Sequence, residues 1–256
     1  MGKSLRLLFI GNSFSDDTME FLAEIAKSSG YDDVMLGNLY VGACSINMHL
    51  RNATENAPVY LYRTNNGEGW KYEPNYSIKE ALESNAWDWV AILSGTGDGS
   101  RKTEKESYSR LGELIAYVKS VVGEVKIAYN MAWLGLSTHT HPETVSYGGD
   151  IMLMYDKMTA IMRDYVSKVE GVTVVATTGT AIENAIALGL QGIYRDGYHL
   201  SWGLGRFIAA LCLFAFVTGE SLNDVTYAPH GLSEEEVRLS KIAAENAVKH
   251  PYSITK

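Results

Sequence analysis

Two short strings place a serine, an aspartate and a histidine in one chain: Gly11-Asn12-Ser13-Phe14-Ser15 near the start and Asp196-Gly197-Tyr198-His199 near the end. A serine hydroxyl becomes a strong nucleophile when an imidazole takes its proton. A carboxylate three residues before a histidine on a turn can reach that imidazole and fix its tautomer and direction, leaving the other ring nitrogen for the serine. The pattern predicts a nucleophile, Ser13, a base, His199, and an orienting acid, Asp196. The plainer reading makes Asn12 and Ser13 a polar turn, with Ser15 capping a helix that starts at Asp16. On that reading His199 is a core or helix-terminus histidine and Asp196 a turn residue paired with Arg195.

The elements around these strings decide where they sit. Short apolar runs at 5–10, 34–40, 89–93, 125–129 and 172–176 predict parallel strands. Helix-period stretches lie at about 16–29, 77–84, 104–122, 150–168 and 180–189, with 203–218 and 233–248 after the last strand. This alternation specifies α/β architecture, a three-layer α/β/α sandwich with ligands bound outside the carboxyl ends of the strands. Ser13 then falls on the turn from the first strand to the first helix. One segment breaks the alternation: 59–63 and 70–72 are β-rich and flank a glycine-containing loop, which predicts an inserted hairpin.

A chain of 256 residues with 46% hydrophobic content can bury a full core, and without a linker or repeat it reads as a single domain, 1–256. A formal net charge of −8 opposes binding to a phosphate backbone or to anionic lipid, so nucleic acid is not an expected partner. The apolar stretch 207–217 is far shorter than the roughly 20 residues that span a bilayer and predicts a buried helix in a soluble protein. No secretory leader is visible ahead of the first strand, which leaves two compartments open: the cytoplasm, or export after removal of a leader. Cys44 and Cys212 suggest neither a disulfide framework nor a metal knuckle. No Gly-x-Gly-x-x-Gly follows the first strand, against a nucleotide-binding Rossmann site.

With these residues in place, the chain resembles the SGNH branch of the GDSL hydrolases, in particular a bacterial subgroup whose first block reads Gly-Asn-Ser-Phe-Ser. The resemblance runs from Phe9 to His199 and into the following helix. It implies a flavodoxin-like sandwich and a metal-independent, cofactor-free serine esterase, with Ser13, Asp196 and His199 as its triad. It also implies an oxyanion site built from the Ser13 amide and a glycine amide of the second block, for which Gly42 is the counterpart.

The third block departs from the pattern. Where the family has Gly-x-Asn-Asp, this chain has Gly95-Thr96-Gly97-Asp98. Losing one oxyanion donor typically costs on the order of 2.7–4 kcal/mol of transition-state stabilisation. Two replacements are open: an amide of the glycine-rich loop, with Gly97 foremost, or the side-chain amide of Asn130. The first block carries Asn12 where the commoner motif has aspartate, which should alter the hydrogen bonding around Ser13.

Other residues compete for roles. His139-Thr140-His141, with Glu143 and Asp150 downstream, has metal-ligating residue types but spacing better suited to a loop at the cleft. Aromatic residues gather at the hairpin: Tyr60, Tyr62, Trp70, Tyr72 and Tyr76 offer either a wall against a sugar ring or plain cross-strand packing. Trp133, just past the fourth strand, is the better pocket candidate, and Asp98 and Trp70 join it as expected substrate contacts. The expected function is hydrolysis of carboxylic esters, chiefly acetyl groups on carbohydrate. The alternative is a carbohydrate-binding protein on the same fold whose hydrolytic power went with the third-block asparagine. A homodimer is compatible with either.

Overall fold

A computed structural model describes residues 2–256. Seven strands form one sheet: β1 (Lys3–Gly11), β2 (Tyr31–Tyr40), β3 (Tyr60–Asn65), β4 (Lys71–Tyr76), β5 (Trp89–Ile92), β6 (Lys126–Asn130) and β7 (Val172–Ala176), in the order β4-β3-β2-β1-β5-β6-β7. The five strands from β2 to β7 through β1 pair in parallel. The hairpin β3–β4 continues the sheet antiparallel beyond β2. Its outer strand is almost wholly exposed and carries Lys71, Glu73 and Pro74, residues that discourage edge-to-edge association.

Strand geometry splits the core in two. Side chains alternate between faces, so on β1 Leu5, Leu7 and Phe9 enter one apolar cluster while Leu8 and Ile10 enter the other. The first face is covered by helices Ser13–Met19, Leu22–Ser28, Thr178–Ala187, Leu204–Thr218 and Glu234–Lys249. The second is covered by Ile46–Thr54, Ile78–Glu83, Leu111–Val122 and Ile151–Asp164. A parallel sheet buried on both sides needs continuous apolar runs, which is why the strands are legible as such. The helix Leu204–Thr218 is buried nearly all round, and Cys212 lies inside it as a free thiol. Among the described residues no helix is long and apolar enough to cross a membrane.

Three departures from the predicted elements are local. The expected helix at 16–29 is two helices, Ser13–Met19 and Leu22–Ser28, and at the break the Glu20 carbonyl accepts from Trp70 Nε1 at 3.3 Å. The stretch 104–122 begins as a separate 3₁₀ turn, Lys105–Tyr108. The helix Ile46–Thr54 was not predicted; Ser45 caps it by accepting the Met48 N–H at 3.2 Å, and it buries Ile46, Leu50 and Ala53 against the sheet.

Candidate active site

At the carboxyl end of β1 the chain turns at Asn12, whose extended backbone and side chain cap the next helix: Oδ1 accepts the Phe14 N–H at 3.0 Å. Ser13 is therefore the first helical residue, and Ser15 is not the cap. Ser15 lies one turn in and donates its hydroxyl to the Asn12 carbonyl at 2.7 Å. A Cβ at Gly11 would collide with the Ser15 side chain, so this crossing of strand and helix requires glycine. The amide of Asn12 donates to the Cys44 carbonyl at 3.1 Å, a bond an aspartate could not make. That bond ties the turn after β1 to the loop after β2.

The segment 194–200 brings the other two residues. Gly197, with φ +82°, lets the chain fold back so that Asp196 Oδ1 accepts the N–H groups of Tyr198 (2.9 Å) and His199 (2.7 Å). Asp196 Oδ2 accepts from His199 Nδ1 at 2.7 Å, and His199 Nε2 lies 3.0 Å from Ser13 Oγ. Burial pushes the Asp196 carboxyl up, but the backbone N–H and imidazole of His199 and the N–H of Tyr198 outweigh it and hold it at about 2. An ionised carboxylate can only accept, so Nδ1 carries the imidazole proton and Nε2 offers its lone pair to the serine. Arg195 does not pair with Asp196; its guanidinium goes to Asp17 at 2.8 Å.

One buried carboxylate joins the two halves of this arrangement. Asp17, on the serine's own helix and fully buried, accepts from Arg195 and from Arg206 Nε (2.9 Å) through Oδ1 and from the Leu200 N–H (2.9 Å) through Oδ2. Further ties come from the loop after β6: Trp133 Nε1 donates to the Tyr198 carbonyl at 2.8 Å, and Leu136 N–H donates to the Gly197 carbonyl at 2.8 Å.

A cavity of about 360 Å³ opens beside Ser13 and His199, bordered by Gly42, Thr96, Lys102 and His141 among others. The N–H groups of Ser13 and Gly42 face no acceptor among the described residues. In the glycine-rich loop the expectation placed on Gly97 fails: its N–H donates to the Ala43 carbonyl at 2.8 Å, as the Gly95 N–H does to Cys44 at 2.7 Å, while the Thr96 N–H between them has no acceptor among the described residues. The two glycine amides fasten the third block to the second. Asn130 fails as well, since it is fully buried at the end of β6, outside the cavity lining, with Oδ1 accepting from Thr178 at 2.6 Å.

The expected substrate contacts also move. Trp133 is fully buried and stacks beneath Phe14, ring centroids 4.2 Å apart, so it supports the cavity from below. Asp98 lies off the lining, bonded to Asn47 and to the Ser100 N–H. Trp70 packs against Arg63 and lines neither space beside Ser13. Tyr60 and Tyr62 are buried, as the packing reading expects.

His139 and His141 both stack on Tyr198, at 5.0 and 4.9 Å between ring centroids. The Nδ1 atom of each accepts a backbone N–H, from His141 and from Glu143 respectively. Their loop forms a wall of the cavity, with those two nitrogens committed to hydrogen bonds.

Lys102 gave no signal in the sequence, yet it is buried on the same wall. Its ammonium donates to the Trp133 carbonyl at 2.8 Å and lies over the rings of Phe14 and Tyr198. On the other side of Ser13 runs a second, more polar groove of about 380 Å³, bordered by Arg63, Tyr72, Arg195, Trp202 and Arg206. Tyr72 and Trp202 are 57% and 64% exposed there. Arg195 and Arg206 brace Trp202, each guanidinium 4.3 Å from its ring centroid.

The fold is shared with known proteins. A crystal structure of a DUF4886 family protein from Bacteroides uniformis superposes with a TM-score of 0.91 at 28% identity, covering 99% of this chain and 98% of that one. Axe2, an acetylxylan esterase from Geobacillus stearothermophilus, shares the fold at a TM-score of 0.52 and 13% identity, over 88% of this chain and 96% of its own. A variant of that esterase gives 0.50 at 14% identity, over 90% and 98%. None of the curated proteins matches by sequence. The family model described as a domain of unknown function, DUF4886, matches residues 6–247, and the chain belongs to that family.

Proposed function

We propose that this protein is a serine esterase of SGNH type that hydrolyses carboxylic esters, with acetyl groups on carbohydrate as its substrate class. The observation that carries the reading is the continuous chain from Asp196 through His199 to Ser13, at 2.7 and 3.0 Å. Ser13 Oγ attacks the ester carbonyl while its proton passes to His199 Nε2. The tetrahedral oxyanion takes the N–H groups of Ser13 and Gly42. Collapse expels the alcohol, which leaves with the proton from His199, and an acyl group stays on Ser13. Water then gives its proton to the same nitrogen as it attacks the acyl carbon; the bond from that carbon to Ser13 Oγ breaks, His199 returns the proton to Oγ, and the acid leaves. Asp196 stays ionised throughout and stabilises the imidazolium that forms twice per turnover.

The two spaces flanking Ser13 divide the substrate. A small acyl group suits the cavity under Thr96 and His141. A sugar ring suits the groove, where the exposed side chains of Tyr72 and Trp202 stand beside the planar polar groups of Arg63, Asp16 and Glu20. The shared fold of the acetylxylan esterases supports this choice of substrate class.

The test is acetate release from p-nitrophenyl acetate and from acetylated xylo-oligosaccharides by the wild type and Ser13→Ala, each with and without chelator. Release that falls by orders of magnitude in Ser13→Ala and survives chelation is the expected result. Release that persists in Ser13→Ala, or its absence from the wild type on both esters, refutes the proposal.

A further inference from the structure

We infer that the side-chain hydroxyl of Thr96 supplies the third hydrogen bond to the oxyanion, and that His141 is the positioning residue that leaves the hydroxyl proton free for it. The inference rests on the serine-esterase reading and extends it to the place where the expected asparagine is missing.

The argument follows protons around one wall of the cavity. The Glu143 N–H donates to His141 Nδ1 at 3.3 Å, so that nitrogen presents a lone pair and the proton of a neutral imidazole sits on Nε2. His141 Nε2 lies 3.3 Å from Thr96 Oγ1. With its proton there, the imidazole donates and the threonine oxygen accepts. The hydroxyl's own proton then needs another acceptor. Thr96 Oγ1 has no other partner among the described residues, and Thr96 borders the cavity that holds Ser13, Gly42 and His199. Burial, the Lys102 ammonium and His139 lower the His141 pKa against the opposing pull of Glu143, which keeps the ring neutral and the tautomer in force.

Four other side-chain donors on that lining are committed or unbraced. Ser94 Oγ donates to the Gly95 carbonyl at 3.2 Å, and Lys102 is held by the Trp133 carbonyl and two aromatic faces. The His141 Nε2 proton is used on Thr96 itself. The Tyr40 hydroxyl also reaches the lining, but no hydrogen bond holds it among the described residues, whereas oxyanion donors act through preorganisation. The loop that carries Thr96 is fixed on both sides by the Gly95 and Gly97 amides. The amides that fail as donors are what hold the threonine still.

The experiment measures the rate at which a fluorophosphonate labels Ser13, together with kcat and KM for p-nitrophenyl acetate. The variants are Thr96→Val, Thr96→Ser, His141→Leu, Thr96→Val with His141→Leu, and Tyr40→Phe, each checked by thermal unfolding. Thr96→Ala replaces the valine variant if that one does not fold. The expected result is a loss on the order of 10²-fold in labelling rate and kcat for Thr96→Val, with KM little changed. Thr96→Ser recovers at least about tenfold of that loss, and the double variant is no worse than Thr96→Val. Labelling of Thr96→Val within about threefold of wild type, or a loss carried by Tyr40→Phe instead, overturns the inference while the serine-esterase reading stands. A wild type that the probe does not label at Ser13 removes both.

Discussion

Asp17 joins the helix of Ser13 to the segment that carries Asp196 and His199, and its removal can be worked through in numbers. Its carboxylate is fully buried, with Arg206 and Arg195 on one oxygen and the Leu200 N–H on the other. Deleting one partner of a buried ion pair costs about 3–5 kcal/mol, and a stranded backbone N–H adds about 1–3 kcal/mol. Two features lower the sum: Arg206 keeps Glu20 at 3.1 Å, and Arg195 is 21% exposed and can reach water. We therefore expect Asp17→Ala to lose about 3 kcal/mol in urea unfolding. The same change releases segment 195–200 from the serine's helix, and a misplacement of about 1 Å can cost on the order of 10²-fold in rate. The loss should fall on kcat, because Asp17 lines neither substrate space. Asp17→Asn is no conservative control, since its NH₂ must face either the guanidinium groups or the Leu200 N–H. The assays are urea unfolding followed by fluorescence and p-nitrophenyl acetate kinetics. Asp17→Ala within 1 kcal/mol of wild type and within about threefold in kcat would refute the reasoning.

Three further outcomes follow from single contacts. Gly95→Ala places a Cβ against the Ala43 carbonyl and 2.7 Å from Asn12 Nδ2, so the third block must shift; kcat should drop at least about tenfold, a figure in keeping with the oxyanion effects above. Trp133→Phe keeps the stack on Phe14 but strands the Tyr198 carbonyl, costing about 1–3 kcal/mol in thermal or urea unfolding. Glu183 is buried, and burial raises its carboxyl from 4.5 to about 7. The folded protein then holds a proton that the unfolded chain releases, so this contribution is intact below pH 4.5 and is lost as pH rises to about 7. Over that window the loss approaches about 3 kcal/mol, and Glu183→Gln should flatten the dependence of Tm on pH between 5 and 8; an unchanged slope would contradict it.

The fold was legible where burial acts on whole segments. All five parallel strands stand out as apolar runs because a sheet covered on both faces leaves no room for polar alternation, and the hairpin stands out because its loop carries Gly67 and Gly69. Helix boundaries were less legible where a tertiary partner meets them. The break after Met19 coincides with a bond from Trp70 to the Glu20 carbonyl, 50 residues apart, and no local pattern announces it. The helix Ile46–Thr54 was hidden by its mixed surface of Asn47, His49, Arg51 and Asn52. His49 and Asn52 are buried there through bonds to the Tyr60 hydroxyl, also a long-range contact.

The candidate site divides along a similar line, between side chains that act at fixed spacing and groups whose availability depends on what else binds them. Asp196 and His199 come together across one turn, so their spacing alone carries the information. Gly97 and Gly42 look alike in sequence, yet the Ala43 carbonyl occupies one amide and leaves the other open. Thr96 is as ordinary a residue as the chain contains, and it becomes a donor only because His141, 45 residues later, supplies the proton that fills its acceptor side. The missing third-block asparagine is thus a local change with a non-local replacement. A chain that had simply lost hydrolysis would have no reason to keep the Glu143 N–H, His141 and Thr96 aligned toward the cavity. That alignment adds to the Asp196–His199–Ser13 chain as an argument for the esterase reading over a sugar-binding relic on the same fold. Ester turnover by the wild type and its loss in Ser13→Ala decide between the two, and the Thr96→Val kinetics decide whether the threonine is the replacement.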